Sequence, residues 1–282
     1  MAAVNSMERR KFVGKSVDLG WGRVYGGQTM AQGLSACQQL AGSGRTVHQF
    51  HCHFLRGGDT QQDIEFDTEQ LTNGRSFSAM HVRAIQNELP ILVMTASLQT
   101  PEEGLTHQQA AIEKVWGRPS ELRSVQEHMA PLLSKIPASV RSLYEKQLPI
   151  EMRPSTFISP FDASPSSPVG AIWMKATSPL PDETNIQQLL LTYLSDWGMQ
   201  QPAVSPHNVA MWDPLLQVVS LSHSVHFHRP FWLDKQWLCH TMLSPTSANG
   251  RGFTIGEFWT EDGTLVASTS QEVLIRQRQK KG

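Results

Sequence analysis

The feature that most constrains the fold is a repeat within the chain. Asn73-Gly74-Arg75-Ser76-Phe77-Ser78 returns as Asn249-Gly250-Arg251-Gly252-Phe253-Thr254. HFLRGGD precedes the first copy and LVMTASLQ follows it; HFHRPF precedes the second and LVASTSQE follows. Phe54 therefore matches Phe227, Arg56 matches Arg229, and Leu92-Val93 matches Leu265-Val266, in one order and at nearly constant spacing. An Asn-Gly turn alone favours hairpins anywhere. A series of matches in register marks a duplicated unit of about 100 residues.

Each unit reads as hairpin-linked strands plus one helix. TVHQFHCHFL, DIEFDTEQLT, RSFSAMHVRAIQ and PILVMTASLQ form the strand set of the first; VVSLSHSVHFHR, WLCHTMLSP, GFTIGEFW and TLVASTSQEVLI form that of the second. Turn residues separate them, so the sheets are antiparallel. The helices span 26–40 and 184–197, the latter with Ile186, Leu189, Leu190, Tyr193, Leu194 and Trp197 at helical spacing. The expected fold is α+β, two tandem units each with a long helix wrapped by an antiparallel sheet. The units occupy 1–110 and 149–282. A partly helical connector fills 111–148, and SPFDASPSSP (159–168) is a proline-broken loop.

Composition narrows the function. A net charge of −1 gives no support to nucleic-acid binding or a polybasic membrane role. No run of apolar residues is long enough to span a bilayer, and the N-terminus lacks the apolar stretch of a secretory signal. Cys37, Cys52 and Cys239 are scattered, with no CxxC pair, which disfavours zinc and disulfide frameworks. A reducing, cytoplasmic setting is expected.

Duplication allows a comparison between halves. Val47 falls opposite Ser220, and Leu98 opposite Gln271, so two apolar positions become polar in the second unit. A glutamine on the face of Leu265, Ala267 and Val273 needs hydrogen-bond partners if buried. Asp196 ends the second helix. Asp196, Ser220 and Gln271 thus become a candidate cluster. Alternation alone places Ser220 with Ser222, Ser224, His226 and His228 on the more polar face, unless a bulge re-aims it. A solvated helix-end Asp196, an ordinary strand Ser220 and an edge Gln271 remain open on these grounds.

The chain also resembles a known family, the acyl-CoA thioesterase II family of double-hotdog thioesterases. The likeness lies in GRVYGGQTMAQGL (22–34), FHCHFLRGGD (50–59), 73–99, HQ (107–108), YLSD (193–196), HSVHFHRPF (223–231), 251–269 and QE (271–272). It implies a double hotdog that hydrolyses acyl-CoA to free acid and CoA. It assigns the family's catalytic Asp, Thr or Ser, and Gln to Asp196, Ser220 and Gln271. Asp196 would take a proton from a water held by Ser220 and Gln271, with no acyl-enzyme; burial should raise its pKa for that task. No cofactor is implied beyond the acyl-CoA substrate. Further pairing into a homodimer or homotetramer is the expectation for assembly. One position departs: many relatives have Asp where this chain has Ser222.

Other signals carry less. His223, His226 and His228 have metal-ligand chemistry, but alternation puts only the last two on one face. His51 and His53 read the same way. Gly20, Gly22, Gly26 and Gly27 miss the dinucleotide spacing. Arg56 and Arg229 match across the repeat and read as structural rather than as phosphate ligands. There is no GxSxG elbow. The alternatives are a hotdog enoyl-CoA hydratase, whose acid–base segment the sequence after Asp196 does not supply, and a non-catalytic acyl-CoA-binding or scaffold protein.

Overall fold

A computed structural model describes residues 8–109 and 116–278; the start of the expected connector and the extreme termini lie outside them. The first unit contains β1 (Arg9–Gly14), α1 (Gly26–Ala41), β2 (Thr46–Phe54), β3 (Ile64–Asn73), β4 (Phe77–Gln86) and β5 (Leu89–Gln99). Two short helices follow, α2 (Val125–Met129) and α3 (Ala138–Glu145), with 3-10 turns beside them. The second unit contains β6 (Ile150–Pro154), β7 (Val169–Ala176), α4 (Thr184–Ser195), α5 (Gln201–Val204), β8 (Leu216–Phe227), β9 (Leu238–Ala248), β10 (Arg251–Thr260) and β11 (Leu265–Gln277).

All strands join one antiparallel sheet, ordered β1-β3-β4-β5-β2-β8-β11-β10-β9-β7-β6. The order shows the repeat. From the central β2–β8 ladder outwards, β5 answers β11, β4 answers β10, β3 answers β9 and β1 answers β7. β1, which opens the first unit, and β6 and β7, which open the second, escape the sequence reading. β1 (RRKFVG) is a charged edge strand on which only Phe12 and Gly14 are half-covered and the rest are exposed. Such an edge lacks the alternation of a half-buried strand. Asp67 on β3 holds it in place, accepting from Arg9 Nε at 2.6 Å and Nη2 at 2.5 Å and from Arg83 on β4. Those guanidiniums hold its carboxyl far below the usual range. Asp67→Asn should raise amide exchange across β1 by about tenfold or more while that of β5 stays unchanged.

The helices lie on one face of the sheet and run antiparallel. The start of α1 meets the end of α4, and Gln38 donates to the Asn185 carbonyl at the other end. Met30, Leu34 and Cys37 of α1, Phe50, Met80, Met94 and Leu98 of the first-unit strands, Leu191 and Leu194 of α4 and Phe258 of β10 form one buried core. The sequence stripe on α4 needs a correction. Its deepest face carries Gln187, Gln188, Leu191, Thr192, Leu194 and Ser195, whereas Ile186, Leu189, Leu190, Tyr193 and Trp197 are only partly covered. The helix has apolar neighbours on more than one side, so its apolar residues need not share the face of maximum burial. The helix also stops at Ser195, two residues short of the expected end. Two helices held against one long antiparallel sheet make this a double hotdog.

Candidate active site

The site forms where α4 ends against the start of α1. Gly27 permits the contact: a Cβ there would lie 2.3 Å from the Tyr193 carbonyl oxygen. The Tyr25 hydroxyl donates to that same carbonyl at 3.0 Å. Asp196, 8 % exposed, follows the last turn of α4. Its Oδ2 accepts the Gly27 N–H at 3.1 Å, and the positive end of α1 favours a carboxylate there.

Ser220 arrives through a bulge. The β8–β11 ladder shifts between Glu272 and Val273, leaving Leu221 without a partner. The insertion turns Ser220 onto the inner face with His223 and Val225, away from Ser222, Ser224 and His226. β2 has a bulge at the matching place, His48, which turns Val47 inwards. The backbone device belongs to both units; the polar side chain belongs to one. The cross-strand registers differ, however. Val47 pairs directly with Leu98, but Ser220 pairs with Val273 and Gln271 with His223. Ser220 and Gln271 are diagonal neighbours on one face.

The side chains connect in a chain. The Ser220 hydroxyl donates to Asp196 Oδ1 at 3.5 Å. Its oxygen accepts from Gln271 Nε2 at 2.9 Å and from Gln200 Nε2 at 3.1 Å. Gln271 Oε1 lies 2.7 Å from His223 Nδ1, and His223 Nε2 lies 2.9 Å from Ser195 Oγ. Thus the structure brings Asp196, Ser220 and Gln271 into one connected cluster. Burial raises the Asp196 carboxyl to about 6, against the lowering pull of the Gly27 N–H, Gln271, Ser220 and the Arg23 charge. Burial pushes His223 down to about 4, so its ring is neutral near pH 7.

Asp196 and Ser220 line a cavity of about 710 Å³, a size that suits a small-molecule substrate. Trp21, Tyr144 and Trp212 supply an aromatic wall, with Trp212 in edge contact with the other two at ring-centre distances of 5.6 and 6.0 Å. Tyr144 comes from α3, so the segment between β5 and β6 helps to build the cavity.

Gln200, His223, the Gly27 N–H and Tyr144 are absent from the sequence-derived cluster. His223 had a signal. It stands where the repeat has Phe50, so a third apolar position turns polar beside Ser220 and Gln271. The first unit has no such cluster: Val47, Phe50 and Leu98 are buried and apolar. Of the other histidines, His51 bonds Ser224 at 2.7 Å and His228 bonds Ser268 at 2.8 Å. Arg56 donates to the Pro90 carbonyl and Arg229 to the Leu265 carbonyl, at 2.7 and 2.9 Å; both tie a loop to the edge of the last strand of their unit. Ser222 pairs with Glu272 and His53 on the face away from the cluster, so its departure from the family pattern leaves the three residues' contacts intact.

Fold and site together define a double-hotdog protein with a polar cluster in one unit and a cavity above it. Residues 17–99 match the family described as acyl-CoA thioesterase N-terminal domain, and residues 139–274 match acyl-CoA thioesterase. The chain is 36 % identical over 265 residues to acyl-CoA thioesterase 2 of Haemophilus influenzae, covering 94 % of this chain and 92 % of that protein. It is 28 % identical to human acyl-coenzyme A thioesterase 8, covering 90 % and 81 %. The crystal structure of an acyl-CoA thioesterase II from Mycobacterium marinum superposes with a TM-score of 0.75 at 28 % identity, over 96 % of each chain. The chain belongs to the acyl-CoA thioesterase family.

Proposed function

We propose that this protein hydrolyses acyl-CoA thioesters to free acid and CoA by direct attack of water, with Asp196 as general base and Ser220 and Gln271 holding that water. The observation that carries the reading is a buried carboxylate, raised to about 6, joined by hydrogen bonds to Ser220 and through it to Gln271 at the floor of an aromatic-walled cavity. A thioester carbonyl is already electrophilic, so orientation and proton removal are the needed contributions. A base of this strength is better matched to neutral pH than an ordinary Asp. The first turn of α1 borders the cavity at Gly26, so its positive end is placed to stabilise negative charge that develops on a carbonyl oxygen bound beside it. No acyl-enzyme is required: Ser220 donates to a carboxylate rather than to an imidazole base, and His223 stands behind Gln271.

Mixing the protein with acyl-CoA and a thiol reagent tests the activity. Release of free thiol supports it; loss of enoyl-CoA absorbance without thiol would support a hydratase, and neither would support a binding or scaffold role. The pH dependence tests the base. Only the ionised carboxylate accepts a proton, so kcat should fall about tenfold per pH unit below about pH 6. A kcat that is flat or rises towards pH 4 would contradict that assignment.

The same reading makes acyl-CoA the partner and requires no cofactor. Three free, buried cysteines accord with a reducing, cytoplasmic setting, and hydrolysis of acyl-CoA would place the protein in lipid metabolism. Among the described residues, no helix is long and apolar enough to cross a membrane. Assembly into a homodimer or homotetramer completes the proposal, as does a division at 1–110, 111–148 and 149–282.

A further inference from the structure

The hydrogen bonds of the site have a direction, and His223 sits where that direction is decided. Gln271 presents its amide oxygen to His223 Nδ1 and its NH2 to Ser220. An amide oxygen only accepts, so Nδ1 must carry the ring proton. Nε2 is then an acceptor, and the Ser195 hydroxyl, which lies 2.9 Å from both Nε2 and the Thr192 carbonyl, turns its one proton to the ring. At the other end, Ser220 accepts from both Gln271 and Gln200, which commits its single proton to Asp196. Every donor points towards the carboxylate. This arrangement suits an ionised Asp196.

The same atoms support a complete reversal. Protonated Asp196 donates to Ser220, and Ser220 donates to the Gln271 amide oxygen after that amide has turned over. The Gln271 NH2 then faces Nδ1, the ring proton sits on Nε2, and Nε2 donates to Ser195. Ser195 in turn donates to the Thr192 carbonyl, 2.9 Å away. One proton is added, at Asp196. The imidazole keeps a single proton throughout and exchanges the nitrogen that carries it. Both arrangements satisfy the linked side chains, whereas a mixed one leaves two donors or two acceptors face to face in a buried site.

We propose that His223 is a positioning residue whose tautomer sets the orientation of Gln271, and that this tautomer changes when Asp196 gains or loses a proton. The consequence for the role of Gln271 rests on the water-activating function proposed above; the tautomer change rests on the geometry alone. Other groups near the pair do not supply the switch. Around Asp196, Tyr25, Tyr193 and Cys52 are all held above their usual values and stay neutral, and the Arg23 guanidinium is a fixed positive charge. Around His223, Cys52 faces it from β2, His51 on β2 is itself held low, and His240 on β9 is pushed down to about 3.

Nitrogen-labelled histidine reports the tautomer directly. The His223 signals are those absent from the spectrum of His223→Asn. In the wild-type protein the proton is expected on Nδ1 well above about pH 6 and on Nε2 below it, with no doubly protonated ring across the transition. Asp196→Asn should abolish the pH dependence. Ser220→Ala, which breaks the chain at a second point, should do the same. One tautomer throughout the wild-type titration, or a change that persists in either variant, would overturn the proposal.

Activity supplies a second arm. His223→Phe, which installs the residue of the matching position in the first unit, should lower kcat about 10–100-fold with KM within about threefold. His223→Asn places an amide donor near the position of Nδ1 and should keep kcat within about fivefold of wild type. Equal losses in both variants would reduce His223 to a packing role. Failure of the wild-type protein to release thiol would instead sink the proposed function and leave the tautomer result standing.

Discussion

Asp196→Asn is expected to lower kcat at least about a hundredfold while the protein becomes more stable at neutral pH. The loss follows from removing the base, since general-base help contributes roughly 10²–10⁴-fold. The gain follows from burial. The native carboxyl is raised from 3.8 to about 6, so between those values the folded protein binds more protons than the unfolded chain. Stability therefore falls as pH rises from about 4 to about 6, and the loss persists above that window. A shift of that size corresponds to roughly 3 kcal/mol. The substituted amide carries no charge to bury and retains an oxygen for the Gly27 N–H. Urea unfolding at pH 7.5 should show a gain of about 1–3 kcal/mol, which vanishes as pH approaches 4. Near-full activity in a folded variant would remove Asp196 from the mechanism. A stability difference that ignores pH would contradict the buried-charge account.

Gly27→Ala should have the second large effect, on stability and turnover together. Helix propensity alone predicts the opposite, because Ala exceeds Gly by about 1 kcal/mol inside a helix. Here the new methyl would stand 2.3 Å from the Tyr193 carbonyl oxygen and 2.5 Å from the Tyr25 ring. One is helix backbone; the other is an aromatic ring packed edge-on against Tyr193 at 4.9 Å. Neither yields cheaply, so α1 must move away from α4, and the N–H held by Asp196 moves with it. A net destabilisation of about 1–3 kcal/mol is expected, with kcat down about tenfold or more. Gly33→Ala is the control. Its Cβ would meet only Met94 and Phe66 side chains at 3.7 Å, so propensity should prevail and stability should hold or rise by up to about 1 kcal/mol. Equal behaviour of the two substitutions would show that helix contact does not set the geometry at Gly27.

Strands with a covered face and a sharp turn were legible in the sequence. β2 to β5 and β8 to β11 declared themselves through β-branched and aromatic segments and the turns between them, and the repeat matched them strand for strand across the two units; that β2 lies beside β5 and β8 rather than β3 was not legible. β1 escaped because an edge strand answers to water as well as to its neighbour. The depth pattern of α4 departs from its apolar stripe because the helix is covered on more than one side. Comparing the halves found Ser220 and Gln271, since a duplicated scaffold holds backbone constant while side chains diverge. It did not find Gln200, which lies just past α4 where no repeat match guides the eye. The inward turn of Ser220 required a bulge, and no residue type announces one. His223 was visible as a histidine but not as a partner of Gln271, because cross-strand register sets that contact and the two units differ in register by two residues at this ladder.

Direct attack of water on the thioester is the step on which the mechanism depends. Single-turnover hydrolysis with enzyme in excess, run in heavy-oxygen water and followed by mass spectrometry of acid and protein, tests it. The predicted result is one heavy oxygen in the released acid, no acyl adduct at any quench time, and no heavy oxygen in the peptide that carries Asp196. An acyl-protein intermediate, or heavy oxygen incorporated at Asp196, would show that a side chain attacks first and would contradict the account.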